Sequence, residues 1–403
     1  MLPNGLRVLL LPRQSANTVQ LSVAAEYGSN KDSEEKAGAA HFLEHMLAGG
    51  SANRIRLSRR IEELGGFMDF YTDYEYTMSS VDVLSGQLAE ASRVLSEILF
   101  VSPFEEEKLS SERRIILNEL SEASDDPCTL VNELLLKNLF KIHPVRRPIG
   151  GLPKTVSKLS LSELSEAHER YYAPRNMILI LTGAFSDKDV EICIQDIGRK
   201  NVSDTIPKKT MPKEVAKPPK QIIRRKAGIC QTYLSIGTRT IPSRHPDAPK
   251  MDLINTIVGT GASSRLFIEL REKRGLTYDI YSSHEYGLDF GYFTVSCAVK
   301  ERNLTKAKEL TTKELSKLKT EKVTDNELDK CKAMVLGGLL REFDSAVDCA
   351  DILANAEIQF KSEKAIIDYI GRMKTVTADD ILEAANKYFK EDNFSTAIVA
   401  PKA

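Results

Sequence analysis

Hydrophobic positions along the first half of the chain follow two different spacings. Short runs rich in Val, Leu and Ile, broken by proline or glycine, predict strands. These runs are Leu6–Leu11, Thr18–Tyr27, Phe67–Tyr71, Tyr76–Val83 and Met177–Thr182. Apolar residues at helical spacing predict helices between the strands. The helical stretches are 38–47, Arg54–Leu64, Leu88–Leu99, Phe104–Ala123 and Ser160–Tyr172.

The second half of the chain repeats part of this pattern. Leu159–Asn176 aligns without gaps on Val376–Asn393, and the pairs include Ser160 with Thr377. In both copies a Ser or Thr is placed to cap a helix that ends in two aromatic residues and leads into an apolar strand. The alternative is a coincidence between two amphipathic helices. We therefore predict an α+β fold of two duplicated domains, each a mainly antiparallel sheet covered by helices.

A proline-rich segment between the two copies suggests the domain boundary. It carries four prolines among lysines between Asp204 and Lys220, which is the composition of a linker. We predict a metal-binding catalytic domain over 1–203, a linker over 204–219, and a homologous second domain over 220–403. The second domain has no histidine near Asn255–Ser264, where an equivalent of the 38–47 helix is expected, so it is predicted to lack metal ligands.

Composition excludes several classes of function. The formal net charge of −1 gives no reason to expect a nucleic acid or an anionic membrane as partner. No apolar run approaches 18 residues, so no membrane span is predicted. The six cysteines are scattered without a C-x-x-C pair, which favours reduced thiols over disulfides or a thiolate zinc site. The chain opens directly into a predicted strand, leaving no room for a targeting segment, and we predict a cytoplasmic protein.

The stretch His41-Phe42-Leu43-Glu44-His45 is the strongest chemical signal in the sequence. On a helix, positions 41, 44 and 45 share one face. Two imidazoles one turn apart can bind one metal ion, and the carboxylate beside them can reach a water on that metal. This H-x-x-E-H order is the inverted form of a zinc-protease signature. The alternative is a partly buried helix whose histidines bond to the backbone.

A catalytic zinc site usually has three protein ligands, so a third ligand is required. The helix predicted over Phe104–Ala123 offers Glu112, Glu119 and Glu122. Glu112 and Glu119 are seven residues apart, nearly two turns, and therefore lie on the same face. The alternative is that all three are solvated surface charges.

Taken together, these motifs resemble the pitrilysin-type inverzincin metallopeptidases, in particular their short two-domain branch, which includes the mitochondrial processing peptidase. Glu119 follows His45 by 74 residues and Glu112 by seven, as in that family. The resemblance implies that Glu119 is the third ligand and Glu112 a supporting carboxylate, while Glu122 does not fit the spacing.

The resemblance continues in the second half, with departures elsewhere. Arg271 and Tyr278, seven residues apart, match an Arg and a Tyr that contribute donors for the substrate carbonyl in active members. After His45 the family usually shows Phe, a polar residue, Gly and Thr, and Ala48-Gly49-Gly50-Ser51 keeps only the glycine of that pattern. A strand thought to pair with the substrate backbone matches Asp69, Phe70, Tyr71 and Thr72, although the family prefers Asn-Ala where this chain has Asp69-Phe70.

By this resemblance the chain is predicted to be a zinc endopeptidase. One Zn²⁺ per chain would be held by His41, His45 and Glu119, with Glu44 as general base. Substrates would be peptides or unstructured segments in an enclosed chamber between domains. Because larger members combine four such units, a homodimer, or a heterodimer with a related subunit, is expected. The alternatives are a non-catalytic scaffold or partner subunit of the same family, and a zinc-dependent binding protein without turnover.

Overall fold

The computed structural model describes residues 1–101, 104–198, 211–212, 214, 220–362 and 364–402. The strands in this part of the chain are β1 (Arg7–Pro12), β2 (Thr18–Ala25), β3 (Phe67–Thr72), β4 (Thr77–Leu84), β5 (Met177–Gly183), β6 (Gln221–Lys226), β7 (Thr232–Arg239), β8 (Ile280–Tyr286), β9 (Gly291–Val299) and β10 (Ser395–Pro401).

The helices lie between these strands. They are α1 (Ala39–Gly49), α2 (Arg54–Glu63), α3 (Leu88–Ser96), α4 (Glu106–Asp125), α5 (Pro127–Leu139), α6 (Pro153–Val156), α7 (Leu161–Tyr171), α8 (Asp187–Ile197), α9 (Ala248–Gly259), α10 (Leu304–Lys317), α11 (Asp325–Glu342), α12 (Ala346–Phe360), α13 (Ala365–Thr375) and α14 (Ala378–Tyr388). π-helical turns cover Glu97–Val101 and Phe267–Glu272. Every strand and helix predicted in the first half is present, with ends shifted by a few residues.

The strands form two sheets with the same topology. Within the described residues the first sheet has the order β1-β5-β2-β4-β3 and the second the order β6-β10-β7-β9-β8. In each sheet one edge pair is parallel, β1 with β5 and β6 with β10, and the other pairs are antiparallel. The predicted α+β fold of two duplicated, mainly antiparallel sheets is therefore confirmed.

The repeated helix is α7 in the first copy and α14 in the second. The Ser160 hydroxyl accepts a hydrogen bond from the backbone N–H of Glu163, and Thr377 does the same with Asp380. Each carboxylate in turn accepts from the N–H of its capping residue, so both helices begin with a capping box. The predicted Ser and Thr caps are confirmed in both copies.

Alternating side chains of the first sheet supply two apolar layers. On one face Leu21 and Leu179 are fully buried in the main core, together with Phe42 of α1. On the other face Ile178 and Ile180 are equally buried, but in a separate cluster. Because both faces are covered, β5 is buried along its whole length.

The helix that covers the second face comes from the other half of the sequence. One compact unit consists of the described residues of Met1–Ser121, Arg147–Thr210 and Glu342–Lys361. Helix α12 belongs to it and packs Ala350, Ala354 and Ile358 against the first sheet. This unit therefore cannot be completed by the first half of the sequence alone.

The other unit receives a helix in the opposite direction. It consists of the described residues of Glu122–Arg146, Met211–Arg341 and Ser362–Ala403. Helix α5, from the first half of the sequence, packs against β7 and β10. The side-chain carbonyl oxygen of its Asn132 accepts hydrogen bonds from the hydroxyls of Ser235 and Ser296, each at 3.1 Å. The covered face of this sheet is therefore partly polar.

The predicted division into 1–203, 204–219 and 220–403 stays a prediction, since most of 204–219 lies outside the described residues. All six cysteines carry free thiols. Among the described helices, none combines the length and the apolar composition that a bilayer crossing requires.

The packing of α12 makes a testable prediction about stability. Ile358 is 2% exposed in the cluster beneath α12, whereas Ile367 of α13 is 71% exposed. Ile358→Ala should lower the free energy of unfolding by about 2–5 kcal/mol, through lost burial and the cavity left behind. Ile367→Ala should change it by less than about 0.5 kcal/mol.

Urea unfolding followed by circular dichroism measures both variants. Equal stability of the two variants would contradict the packing of α12 on the first sheet.

Candidate metal centre

Helix α1 starts at a buried carboxylate that fixes its first turn. Asp32 is 3% exposed and accepts hydrogen bonds from the backbone N–H groups of Gly38, at 2.9 Å, and Ala40, at 3.2 Å. The Tyr27 hydroxyl donates to the same carboxylate at 3.0 Å. Gly38 has a φ of 95°, a left-handed conformation that favours glycine. The backbone just before His41 is therefore tightly held.

The two histidines converge with one glutamate of α4. The rings of His41 and His45 are 4.7 Å apart between centroids. Oε2 of Glu119 lies 3.3 Å from Nε2 of His45 and 3.9 Å from Nε2 of His41. One ligand atom from each of the three residues lies within 4.8 Å of the others, and among the described residues no other group of His, Cys, Asp or Glu does so.

The donor set suits a divalent metal such as zinc. Two imidazole nitrogens and one carboxylate oxygen are common zinc ligands, and three protein ligands leave a further position open for water or substrate. Nδ1 of His41 is buried without a hydrogen-bond partner. Burial, followed by repulsion from His45, lowers the pKa of His41 to about 4. His41 is therefore neutral at physiological pH, the form that binds a metal.

Glu112 contacts His45 at the ring nitrogen that faces away from Glu119. Its Oε2 lies 3.2 Å from Nδ1 of His45, on the side of the ring opposite Glu119. Burial lowers the pKa of His45, but the hydrogen bond to Glu112 and the nearby charges of Glu44 and Glu119 outweigh it, and the net shift is upward. A carboxylate on Nδ1 orients the ring and directs Nε2 towards the metal position.

Gly49, at the last position of α1, leaves the space in which the Glu112 carboxylate lies. A Cβ atom at position 49 would lie 2.8 Å from the carboxyl carbon of Glu112. The sequence shows a Gly49-Gly50 pair that begins four residues after His45, which is a signal for this requirement. The sequence alone did not assign this role to Gly49, because Glu112, whose carboxylate needs the space, is distant along the chain.

Glu44 adjoins the cluster without belonging to it. Its side chain is 9% exposed, and Oε2 lies 3.8 Å from Nε2 of His41. Burial, with added repulsion from Glu119 and Asp69, raises the pKa of Glu44 to about 7. The Thr72 hydroxyl lies 3.5 Å from the same oxygen. A carboxyl group with a pKa near neutrality can both accept and release a proton.

The structure distinguishes the three glutamates offered by α4. Glu112 and Glu119 both contact His45, as their shared helix face predicted. Glu122 has no contact with either histidine within 4.0 Å.

The predicted substrate strand is β3, at the edge of the first sheet. Within the described residues it pairs only with β4. Phe70 and Thr72 point towards α1 and α2, where Phe70 contacts Arg54 and Thr72 contacts Glu44. On the opposite face the Tyr71 hydroxyl donates to Asp351 at 2.5 Å.

Arg271 and Tyr278 lie in the second unit and contact each other. The guanidinium group of Arg271 is 4.4 Å from the centre of the Tyr278 ring and donates to the Tyr278 carbonyl oxygen at 2.8 Å. Tyr278 is 79% exposed. Their role opposite the histidines stays a prediction.

The helix of the second unit that corresponds to α1 is α9, which overlaps the expected 255–264 region in its last five residues and carries no histidine. Its Asp252 contacts Nδ1 of His284 at 2.6 Å and accepts from the Tyr369 hydroxyl at 2.8 Å. Nε2 of His284 lies 3.2 Å from the Thr240 hydroxyl. His284, which packs against α9 through Asp252, therefore has both ring nitrogens in hydrogen bonds.

Comparisons with known proteins agree with the fold. Residues 7–151 match the family described as insulinase, peptidase family M16, and residues 158–335 match the peptidase M16 inactive domain. An uncharacterized zinc protease of Bacillus subtilis is 26% identical over 99% of this chain and 97% of its own. One from Rickettsia felis is 29% identical over 99% of this chain and 96% of its own.

Solved structures of similar fold cover the whole chain. A protease from Helicobacter pylori superimposes with a TM-score of 0.90 at 23% identity, covering 100% of this chain and 98% of its own. A peptidase M16 inactive domain protein from Pseudomonas fluorescens gives a TM-score of 0.87 at 23% identity, with coverage of 100% and 97%. These likenesses establish the fold.

The space at Gly49 makes a prediction about metal binding. Gly49→Ala should displace the Glu112 carboxylate and lower zinc affinity by about 10–100-fold, as loss of a carboxylate behind a histidine ligand does. Gly338→Ala is the control, because a Cβ atom at that helical glycine meets nothing within 4 Å. Competition with a chelator measures the affinity.

A double variant sharpens this test. If Gly49→Ala acts only through Glu112, it should cost nothing further in a Glu112→Ala background. Additive losses would contradict the steric argument.

Proposed function

The chain belongs to peptidase family M16, and we propose that it is a zinc-dependent endopeptidase acting on peptides or unstructured polypeptide segments. The observation that carries this proposal is the convergence of His41, His45 and Glu119 beside the buried carboxyl group of Glu44. The relatives named zinc proteases support it. We propose one zinc ion per chain.

Zinc held by these three side chains would lower the pKa of a bound water to about 7 and polarise a substrate carbonyl group. Glu44 accepts a proton from the attacking water and later donates it to the leaving amine nitrogen. Glu112 keeps the ring of His45 in place through Nδ1.

The edge strand β3 supplies the binding surface for an extended peptide. Its unpaired backbone groups can hydrogen-bond a substrate strand, which demands little of the peptide's sequence. Asp69, Phe70, Tyr71 and Thr72 are the residues of β3 proposed to bind such a peptide. Arg271 and Tyr278 are proposed to donate hydrogen bonds to the substrate carbonyl and to the negative charge that develops on it.

A non-catalytic subunit of the same family is the alternative. One matching family model describes an inactive domain, and it covers the half without metal ligands. The presence of Glu44 beside the three candidate ligands favours catalysis, because a binding protein has no use for a general base. Reduced thiols favour a cytoplasmic location as part of the proposal.

Substitutions at three glutamates test the assigned roles. Glu44→Gln should retain zinc and the fold but lower turnover of a fluorogenic peptide by about 10²–10⁴-fold, because it removes the base and no ligand. Glu119→Gln should lose zinc, while Glu122→Gln, on the same helix, should bind and cleave as wild type. Metal analysis of the purified variants accompanies the rate measurements.

Near-normal turnover by Glu44→Gln would contradict the mechanism. Equal zinc loss in Glu119→Gln and Glu122→Gln would contradict the choice of ligand.

The family resemblance adds a proposal about the dimer: Arg271 and Tyr278 act in trans, on the zinc site of a partner protomer. Glu44→Gln and Tyr278→Phe chains, each inactive, would be unfolded and refolded together. About half of the dimers are then mixed, each with one working site, so about a quarter of wild-type activity should return.

If the pair acts in cis, every site keeps one defect and no activity returns. A fully active monomer in light scattering would also exclude the proposal.

A further inference from the structure

Arg54, the first residue of α2, is a charged side chain near the candidate centre that the mechanism above does not use. It is half-buried, and the central carbon of its guanidinium group lies 4.9 Å from the centre of the Phe70 ring. One of its terminal nitrogens lies 3.6 Å from the sulfur of Met68. Among the described residues no carboxylate oxygen lies within 4.0 Å of its nitrogens, so this cation has no ion pair there.

Stacking on Phe70 uses the face of the guanidinium group and leaves N–H donors at its edge. A planar guanidinium with free edge donors binds a carboxylate through two parallel hydrogen bonds. Partial burial strengthens that attraction, since less water competes for the charge. Arg54 is therefore equipped to bind an incoming carboxylate.

Glu112 is not itself the carboxylate that Arg54 binds. Burial lowers the pKa of Arg54 and the charge of Glu112 raises it, so the two groups are within electrostatic range. Their separation nevertheless exceeds an ion pair, and the Glu112 carboxylate contacts Nδ1 of His45 instead. Because Phe70 contacts Arg54 and Thr72, two residues further on, contacts Glu44, the guanidinium group lies on the same face of β3 as Glu44.

The geometry of β3 determines which substrate side chains can reach Arg54. Successive side chains of a strand point to opposite faces. Met68, Phe70 and Thr72 lie on the face with Arg54 and Glu44, while Asp69 and Tyr71 lie on the other. A peptide added to the open edge alternates in the same way, so one side chain meets Arg54 and Phe70 while its neighbour meets Asp69.

We propose that Arg54 and Phe70 form a specificity subsite for an acidic side chain, Asp or Glu, of the peptide substrate. This inference rests on the proposed cleavage of peptides at β3. The exposed Asp69 carboxylate on the opposite face favours a basic residue next to the acidic one. The subsite therefore selects peptides by the order of their acidic and basic residues, and two peptides of the same composition but different order should bind differently.

Fluorogenic peptides in which Glu, Gln or Lys is placed in turn at each position around the scissile bond test the proposal. At one position Glu should raise kcat/KM about tenfold over Gln, and Lys should lower it. Arg54→Met should reduce the Glu peptide to the rate of the Gln peptide, and Arg54→Glu should reverse the preference. Arg56→Met is the matched control, because Arg56 is an exposed residue of α2 paired with Glu97.

Binding measurements separate this proposal from the proposed function. Fluorescence anisotropy of the same peptides on the Glu44→Gln variant reports the preference without turnover. If the Glu peptide binds selectively and Arg54→Met abolishes this selectivity, the subsite is supported. This holds even if the wild-type protein cleaves none of the peptides.

Two results would overturn the proposal. One is the absence of a charge preference in both cleavage and binding. The other is an equal loss for Glu, Gln and Lys peptides in Arg54→Met, together with lower zinc content, which would make Arg54 a support for Glu112.

Discussion

The contact between the Glu112 carboxylate and Nδ1 of His45 joins α4 to α1, and the candidate metal centre depends on it. It holds the imidazole so that its other nitrogen faces Glu119. It also requires a glycine at position 49, where any side chain would enter the space of the carboxylate. Burial, with repulsion from Glu119 and Asp69, raises the pKa of the neighbouring Glu44 carboxyl group. A divalent cation between the histidines and Glu119 would offset that repulsion, which gives the site an electrostatic reason to bind one.

Much of this arrangement could be predicted from the sequence because helix geometry relates spacing to position. The 41, 44, 45 and 112, 119 spacings each define one helix face, and the structure brings the two faces together. Gly49 and Arg54 could not be assigned roles in the same way. Gly49 matters because of a side chain 63 residues away, and Arg54 because its helix lies over β3. Local periodicity contains no information about such contacts.

The same limit applies to the fold. The repeat of a capped helix and a following strand was enough to predict a duplicated α+β unit, since capping and periodicity are local properties. The exchange of α5 and α12 between the two halves was not predicted. Both helices are amphipathic, and their sequences do not specify which of two similar sheets they will cover.

The two copies differ most clearly at the candidate metal centre. In the first, Nδ1 of His41 has no hydrogen-bond partner and the ligand nitrogens face a shared position. In the second, Asp252 and Thr240 satisfy both nitrogens of His284. The region of α9 therefore holds its histidine in hydrogen bonds, and its ring nitrogens do not converge on a shared ligand position.

The placement of α12 also bears on how the protein forms during synthesis. Strand β5 is complete when the ribosome reaches Gly183, but the helix that covers Ile178 and Ile180 ends at Phe360, about 180 residues later. At a synthesis rate of about 5–20 residues per second, the face of the first sheet that carries Ile178 and Ile180 stays exposed for roughly 9–36 s before α12 has been made. During that interval a nascent chain displays a surface that chaperones bind. The first unit, although its strands are made early, is therefore not complete until Phe360 has been synthesised.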